Sequence, residues 1–584
     1  MKILGISAYF HDSAAALVVD GEVVAAAQEE RFTRVKHDAS TPLHAVAFCL
    51  EQGGLSIEDI DHVVFYEKPL RKFERLLTHQ LRIFPRGMGQ FVSAMSTWLS
   101  KRLWLQSDLA EALGCDPEII SFSEHHLSHA AASFLTSPFK SAAVLTLDGV
   151  GEWATAAIHK GVSDESGTRL ELIEELHFPD SIGLLYSAIT AYLGFEVNNG
   201  EYKVMGLASY GEPRYLEAFE KLCHIDAEGA LHLDMDYFCF DRDPEKSFTP
   251  LLEVLLGKSR EPGSAMALPA RSEEDQRFAD IAASLQAHTE AYILKVAQRA
   301  HSKTGETKLC FDGGVALNSV ANTKLAAEGP FDALYVQPSP GDAGGALGAA
   351  LYLSAVVLGE PRRADLGAAS LGKGYAQSEV ESFLCDTRIR HRVFEDEEAL
   401  DRHVAKRLAS GQVGGLLSGR FEWGPRALGQ RSILADPSHA DTRERVNRSI
   451  KFREAFRPFA PAVLAEDAPE CFEMPETRPD LLSRYMLSVV PVKESAREAL
   501  GAVTHVDGSA RVQSVTEDAH PRLHALLEAF KVETGRGVLL NTSMNLKGEP
   551  MCASPMDAYA TFDRSGLDFL VMERCLVERA SSSL

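Results

Sequence analysis

The 584 residues exceed what one ordinary hydrophobic core accommodates, so at least two domains are expected, and 45% hydrophobic with 24% charged residues is a globular composition that excludes disordered and fibrous classes. A formal charge of −24 repels phosphate backbones at long range, which argues against nucleic acid as a partner. No stretch is apolar over the roughly 18 residues a membrane span needs, and the apolar N-terminus is interrupted by His11 and Asp12, so a cytoplasmic protein with no membrane partner is expected.

In chain order, strand-like runs cover Ile3 to Tyr9, Ala14 to Val19 and Val23 to Ala27, the last two joined by an Asp20-Gly21 hairpin turn, followed by Val63 to Tyr66 and Ala142 to Thr146. Between Pro69 and Leu113 lies a helical, locally basic insertion (Arg71, Lys72, Arg75, Arg82, Arg86, Lys101, Arg102), read either as a solvated cap or as a substrate lid. A helical period runs from Gln276 to Ala300, and a strand over Leu309 to Phe311 leads into a Gly-Gly turn and another helix, which is α/β architecture. Non-periodic Pro, Arg and Gly around Gly359 to Gly367 mark a linker, placing the domains at 1–362 and 363–584. The nine cysteines are scattered without a CxxC pair and read as reduced, structural residues.

The chemistry-bearing runs start at Glu124-His-His-Leu-Ser-His129. His125 and His129 stand four positions apart on one helical face, a spacing at which two imidazoles can share a metal or simply be satisfied core residues, whereas His126 points off that face toward packing. Downstream, the strand ending at Asp148 runs into a glycine-rich turn with Gly149 and Gly151, where backbone amides can approach phosphate and a carboxylate can hold its metal. Two similar runs follow, Asp312-Gly313-Gly314 leading to Asn318, and Gly341-Asp342-Ala-Gly-Gly, with Asp342 read at a strand end. Any one is compatible with a mere tight turn; three in one α/β domain argue for a phosphate site.

Together, the His11-Asp12 hairpin region, HHxxHA, strand-DGVGE, GGVALN and PSPGDAGGALGAA resemble the carbamoyltransferases of natural-product pathways, the nodulation, cephamycin and tobramycin type, over almost the whole chain. The resemblance implies an actin-like ATPase (Kae1-like) N-terminal domain and an α/β YrdC-like C-terminal domain. It implies further that His125, His129, Asp148 and Asp342 hold a divalent metal, Fe(II) in the best-studied members, and that Gly313, Gly314 and Asn318 lie at the adenosine end of ATP. Two imidazoles and two carboxylates suit Fe(II), Mn(II) or Zn(II) independently. Gly149, Gly151 and Gly341 complete the expected ATP-binding set, with Mg(II) as a companion of ATP.

The C-terminal third carries Gly424-Pro-Arg426-Ala-Leu-Gly-Gln-Arg431, Lys451-Phe-Arg453-Glu-Ala-Phe-Arg457, Arg511 and Asn541-Thr-Ser543. Such a concentration of cations in an acidic chain points to an anion site, because guanidinium and ammonium donate several hydrogen bonds to a phosphate dianion. By the family resemblance, Lys451, Arg457, Arg511, Asn541 and Ser543 contact carbamoyl phosphate, while Arg426 and Arg431 either touch ligand or support their loop. The implied route cleaves carbamoyl phosphate to carbamate, forms carbamoyladenylate and pyrophosphate with ATP, and transfers carbamoyl to a hydroxyl of a small-molecule acceptor.

His11 is the expected base for that hydroxyl, with a mere hydrogen bond in the strand turn as the alternative, and His37, Lys203 and Asp236 are expected on the acceptor side. A small-molecule kinase of actin-like fold and a tRNA threonylcarbamoyl-type transferase are the rival readings. A homo-oligomer is compatible with the sequence, which does not name the acceptor.

Overall fold

A computed structural model describes residues 1–579 apart from 101, 228, 244, 270–271, 364, 440, 453, 455 and 476–479; Lys101 and Arg453 of the basic runs therefore lie outside the described residues. The chain forms two compact units, the first from residues 1–9, 15–23 and 54–365, the second from 10–14, 24–53 and 366–584. Neither unit is a single stretch of sequence.

In the first unit, strands β1 (Lys2–Ser7), β2 (Ala14–Val19), β4 (His62–Phe65) and β5 (Ile120–Phe122) neighbour one another in the order β2-β1-β4-β5, with β1, β4 and β5 parallel. Strand β3 (Glu22–Gln28) leaves the turn at Asp20 and Gly21, both in left-handed backbone (φ 50° and 82°), and carries the chain into the second unit. A second sheet repeats this plan. Strands β6 (Ser141–Leu147), β7 (Ala154–Asp164) and β8 (Gly167–His177) form an antiparallel meander. After the two-stranded pair β9 (Cys223–Ile225) and β10 (Leu231–Leu233), strands β11 (Lys308–Asp312) and β12 (Ala333–Tyr335) add parallel to β6. Thus β7-β6-β11-β12 matches β2-β1-β4-β5, a duplicated α/β plan of the kind the actin-like resemblance implies.

The ten residues of helix Asp342–Leu351 are all buried. A Cβ on Gly348 would stand 1.8 Å from the Ser128 carbonyl oxygen, and one on Gly5 of β1 would stand 1.9 Å from that of Ala346, so glycine alone permits this helix to approach both neighbours. The helix His125–Thr136 and β1 thereby fix where Asp342 sits.

The second unit is built on an eight-stranded sheet: β13 (His391–Val393), β14 (Gly414–Leu417), β15 (Arg431–Ala435), β16 (Ala460–Leu464), β19 (Gln513–Val515), β20 (Val538–Ser543), β21 (Phe569–Met572) and β22 (Cys575–Glu578). A separate pair, β17 (Val490–Pro491) and β18 (Ser509–Ala510), lies between β16 and β19 in the chain. The order is β13-β22-β21-β14-β15-β20-β16-β19. Alternate residues divide between two apolar clusters, Leu417, Ile433, Val463 and Leu540 in one and Leu416, Leu434, Ala462 and Leu539 in the other, the period-two signature of a sheet covered on both faces. The early segment belongs to this unit through hydrogen bonds: the buried Arg31 donates from Nη2 to Gly424 O at 2.7 Å, and the partly buried Arg34 donates to Met551 O at 2.6 Å and Pro550 O at 2.9 Å. No helix among the described residues is long and apolar enough to cross a membrane.

Candidate active sites

In the first unit, helix His125–Thr136 starts without a side-chain cap of its own; the Glu152 carboxylate accepts from His125 N at 3.0 and 3.1 Å instead, satisfying an orphan donor at the positive end of the helix. The helix stops at Ser137, before Pro138. One turn separates His125 from His129, and their Nε2 atoms stand 3.2 Å apart. Asp148, the residue after β6, places Oδ2 2.9 Å from His125 Nε2 and 3.7 Å from His129 Nε2. Asp342 Oδ1 lies 3.7 and 3.6 Å from the same nitrogens.

One ligand atom from each of these four residues falls within 4.8 Å of the others. Donors at about 2.1 Å from a shared cation, at angles near 90–110°, are separated by about 3.0–3.4 Å, so the imidazole pair has the spacing of two ligands of one ion. Asp342 is a correction to the expected placement: it opens helix Asp342–Leu351 rather than ending a strand, since β12 stops at Tyr335 and Pro338 and Pro340 lack the N–H that strand pairing requires.

Asp312 at the end of β11 carries no assigned role in the sequence, yet it sets the state of the site. Its Oδ1 accepts from His129 Nδ1 at 2.8 Å and from Gly313 N at 2.8 Å. With one proton on Nδ1, His129 turns Nε2 toward His125, Asp148 and Asp342, and this is the nitrogen whose proton a cation would replace. Burial disfavours charge on His129, but hydrogen bonds to Asp148, Asp312 and Asp342 outweigh it and hold the imidazole well above its usual range. Burial pushes Asp312 up to about 6 despite its contact with His129. Two imidazoles and two carboxylates converging in a largely buried setting fit a divalent cation, which would displace the proton held between them.

The glycines line the same region. Gly313 has φ 90°, and a Cβ there would meet Leu147 O at 2.2 Å; Gly314 N donates to Asp148 Oδ1 at 3.1 Å. Gly151 lies against His125, where a Cβ would approach the imidazole to 3.0 Å, and Gly149 follows Asp148 directly. Gly341 caps the Asp342 helix with no atom near its Cβ direction. Asn318 caps helix Ser319–Glu328 by accepting from Ala321 N, and it exchanges amide hydrogen bonds with Gln286 at 2.9 and 3.0 Å. The insertion forms helices Pro69–Ile83, Met88–Ser100 and Leu105–Leu113, and Arg75 of the first of these donates to Gly151 O at 2.8 Å.

His126 is satisfied on both nitrogens, by Thr146 Oγ1 at 2.7 Å and Ala154 O at 2.9 Å, and burial pushes it well below its usual range. Nearby His159 on β7 has a buried Nδ1 without a partner among the described residues, and burial lowers it from 6.5 to about 4. Between pH 6.5 and 4 the unfolded chain binds this proton and the folded chain does not. Stability therefore falls as pH falls through that window, by about 3 kcal/mol from this group. Urea midpoints at pH 7 and pH 5 check this: His159→Phe is expected to flatten the dependence, and an unchanged slope would remove His159 as its source.

In the second unit, Asp12 joins two imidazoles: its Oδ2 lies 3.1 Å from His11 Nδ1 and its Oδ1 2.9 Å from His37 Nδ1. Burial raises the Asp12 carboxyl, but the two histidines outweigh this and hold it well below the usual carboxylate range. Glu30 accepts from His37 N at 2.9 Å. Of the other residues expected on the acceptor side, Lys203 in the first unit stands over the Phe195 ring at 5.6 Å, and Asp236 is exposed in the loop that precedes Thr249.

The expected anion residues converge on one end of the central strands. Asn541 pairs with Ala460, three residues after Arg457; Gln513, two after Arg511, pairs with Ala462; Ser543 pairs with Ser432. The buried Lys451 donates to Ser543 Oγ at 3.1 Å and to Asn545 Oδ1 at 2.7 Å. Arg457 Nη1 lies 3.7 Å from Glu454. Arg431, fully buried, donates to the carbonyls of Ala553, Ser418, Gly419, Gln430 and Lys373, and so acts as a loop support.

Comparison with known proteins agrees with both halves. The family described as "Carbamoyltransferase N-terminus" matches residues 2–351, and "Carbamoyltransferase C-terminus" matches residues 405–579. An uncharacterized protein of Synechocystis sp. is 44% identical, covering 99% of this chain and 97% of its own. Nodulation protein NolNO of Sinorhizobium fredii is 37% identical over 98% of this chain and 80% of its own, and the 3'-hydroxymethylcephem-O-carbamoyltransferase of Amycolatopsis lactamdurans is 37% identical over 47% and 49%. With both family regions matched and a relative 37% identical over 80% of its own length, the chain belongs to the carbamoyltransferase family and is an enzyme of that class.

Proposed function

We propose that this carbamoyltransferase is ATP-dependent and transfers the carbamoyl group of carbamoyl phosphate, through carbamoyladenylate, to a hydroxyl of a small-molecule natural product. The observation that carries the reading is the largely buried set of two imidazoles and two carboxylates, with Nε2 atoms 3.2 Å apart and Asp312 orienting one of the rings. A kinase of the same fold class needs no such set. The hydroxyl acceptor is supported by the printed activity of the cephem relative.

His125, His129, Asp148 and Asp342 would hold the divalent metal, Fe(II) with Mn(II) or Zn(II) as alternatives, and when bound it supplies positive charge against the phosphates of ATP. Gly149, Gly151, Gly313, Gly314 and Gly341, with Asn318, form the ATP-binding set, their backbones allowing close approach of phosphate. In the second unit Lys451, Arg457 and Arg511 hold the phosphate dianion, with Asn541 and Ser543 beside them. Water cleaves carbamoyl phosphate to carbamate and phosphate; carbamate attacks the α-phosphate of ATP and displaces pyrophosphate; the acceptor hydroxyl then attacks the carbamoyl carbon and displaces AMP. His11 takes the hydroxyl proton on Nε2 while Asp12 holds Nδ1.

Incubation with carbamoyl phosphate, ATP and a panel of hydroxylated acceptors tests this reading through its products. AMP and pyrophosphate are expected, and ADP in their place would overturn it. His11→Ala is expected to slow transfer by about 100-fold to 10,000-fold while pyrophosphate release persists, because forming the adenylate needs no base on the acceptor. An equal fall in both steps would move His11 to another role.

A further inference from the structure

The anion site of the second unit contains a chain of amides whose orientation is dictated by backbone carbonyls. Gln513 Nε2 donates to Leu428 O at 2.7 Å. A carbonyl only accepts, so the Gln513 amide nitrogen must face Leu428 and its Oε1 must face the other way. That oxygen accepts from Asn541 Nδ2 at 2.8 Å, and the second hydrogen on the same nitrogen goes to Ala427 O at 3.1 Å. Both Asn541 donors are thereby used, and its Oδ1 is turned away from them. This oxygen is buried and has no hydrogen-bond partner among the described residues, on a residue only 1% exposed.

A buried acceptor left unpaired is costly, and such an atom in an otherwise satisfied network marks a place where a donor belongs. Its surroundings say which donor. Asn541 and Ser543 are two apart on β20 and share a face, about 7 Å from each other along the strand. Ser543 Oγ accepts from the Lys451 ammonium, and Ser432, paired with Ser543 on that face, has a buried hydroxyl also without a partner among the described residues. A cation for phosphate and a lone acceptor thus lie on one face, at a separation that suits the two ends of a small acyl phosphate.

Building on the proposed use of carbamoyl phosphate, we infer that Gln513 is a positioning residue: through the shorter of two hydrogen bonds, the other going to the Ala427 carbonyl, it locks the Asn541 amide with its oxygen toward the ligand, so that the site selects an acyl phosphate bearing N–H on the carbonyl carbon over one bearing methyl. Amino and methyl groups are nearly equal in size, so packing alone separates carbamoyl phosphate from acetyl phosphate poorly. A fixed acceptor separates them because methyl cannot donate. Were the Asn541 amide free to turn, it could present its nitrogen to that position and the distinction would fade.

Calorimetric titration of the full chain with inorganic phosphate, carbamoyl phosphate and acetyl phosphate tests this. The unmodified protein is expected to bind carbamoyl phosphate about tenfold to hundredfold more tightly than acetyl phosphate. Gln513→Met, similar in volume but without the amide, is expected to reduce that ratio about tenfold while leaving inorganic phosphate binding unchanged. Gln513→Glu, kept protonated by burial, can donate to Leu428 O and still accept from Asn541, and is expected to restore the ratio. A merely structural role would move all three ligands together. Equal binding of the two acyl phosphates by the unmodified protein overturns the inference without any variant, and a wild-type ratio in Gln513→Met overturns the role of Gln513. Failure of the unmodified protein to bind either inorganic phosphate or carbamoyl phosphate would instead strike at the functional reading on which the inference rests.

Discussion

Asp148→Asn is expected to lower carbamoyl transfer by about 100-fold to 1,000-fold and to deplete the purified protein of metal. The substitution is a narrow one. An asparagine oxygen can still accept from Gly314 N, which Asp148 Oδ1 does at 3.1 Å, so the turn keeps its hydrogen bond. What is lost is the negative oxygen 2.9 Å from His125 Nε2, one of only two carboxylates in the four-residue set. Metal analysis of the purified variant and the transfer assay read the two effects separately. Full occupancy together with full activity would remove Asp148 from the site. Asp312→Asn provides a graded comparison, since it touches the His129 ring and not the shared centre, and a 10-fold to 100-fold loss of metal affinity is expected.

The second large effect separates two half-reactions. Arg457→Ala is expected to weaken carbamoyl phosphate use about tenfold to hundredfold while leaving ATP binding nearly intact, because a charge-assisted hydrogen bond to a phosphate dianion is worth about 1.5–3 kcal/mol. Lys451→Ala should cost more, since the same ammonium also ties Ser543 and Asn545 together. Asp342→Asn should block pyrophosphate formation yet permit phosphate release from carbamoyl phosphate, a hydrolysis that requires neither ATP nor the four-residue set. Phosphate and pyrophosphate are to be followed in parallel in each variant. Loss of both products in every variant, with folding intact, would mean a single reaction centre and end the two-step reading.

Much of this arrangement is legible in local sequence because local physics produces it. A spacing of four residues puts His125 and His129 on one helical face, and an apolar strand running into Asp148-Gly149 delivers a carboxylate to a turn. Asp312 is a different case. It has the same local signature as Asp148, and its task of holding His129 Nδ1 follows from the pairing of β11 with β6, where Asp312 meets Thr146 across residues far apart in the chain. Arg431 shows the converse: an arginine among glycines has the appearance of a ligand for anions, and only the surrounding loops reveal five carbonyls around it. Asn318 likewise has a helix N-terminus and Gln286 as partners that its flanking residues do not disclose. The orientation of Asn541 depends on Ala427, Leu428 and Gln513, three residues from two other segments.

The interleaving of the chain bears on how the protein is made. Residues 10–14 and 24–53 emerge early in synthesis, but Arg31 and Arg34 must wait for Gly424, Pro550 and Met551 before their guanidinium groups find their carbonyls. The second unit can close only after Met551 has left the ribosome, and until then its first segments lack these partners. A gene cut near codon 365 would therefore not yield two independent proteins: the upstream piece would carry residues 24–53 without the rest of their unit, and the downstream piece would lack part of its own wall.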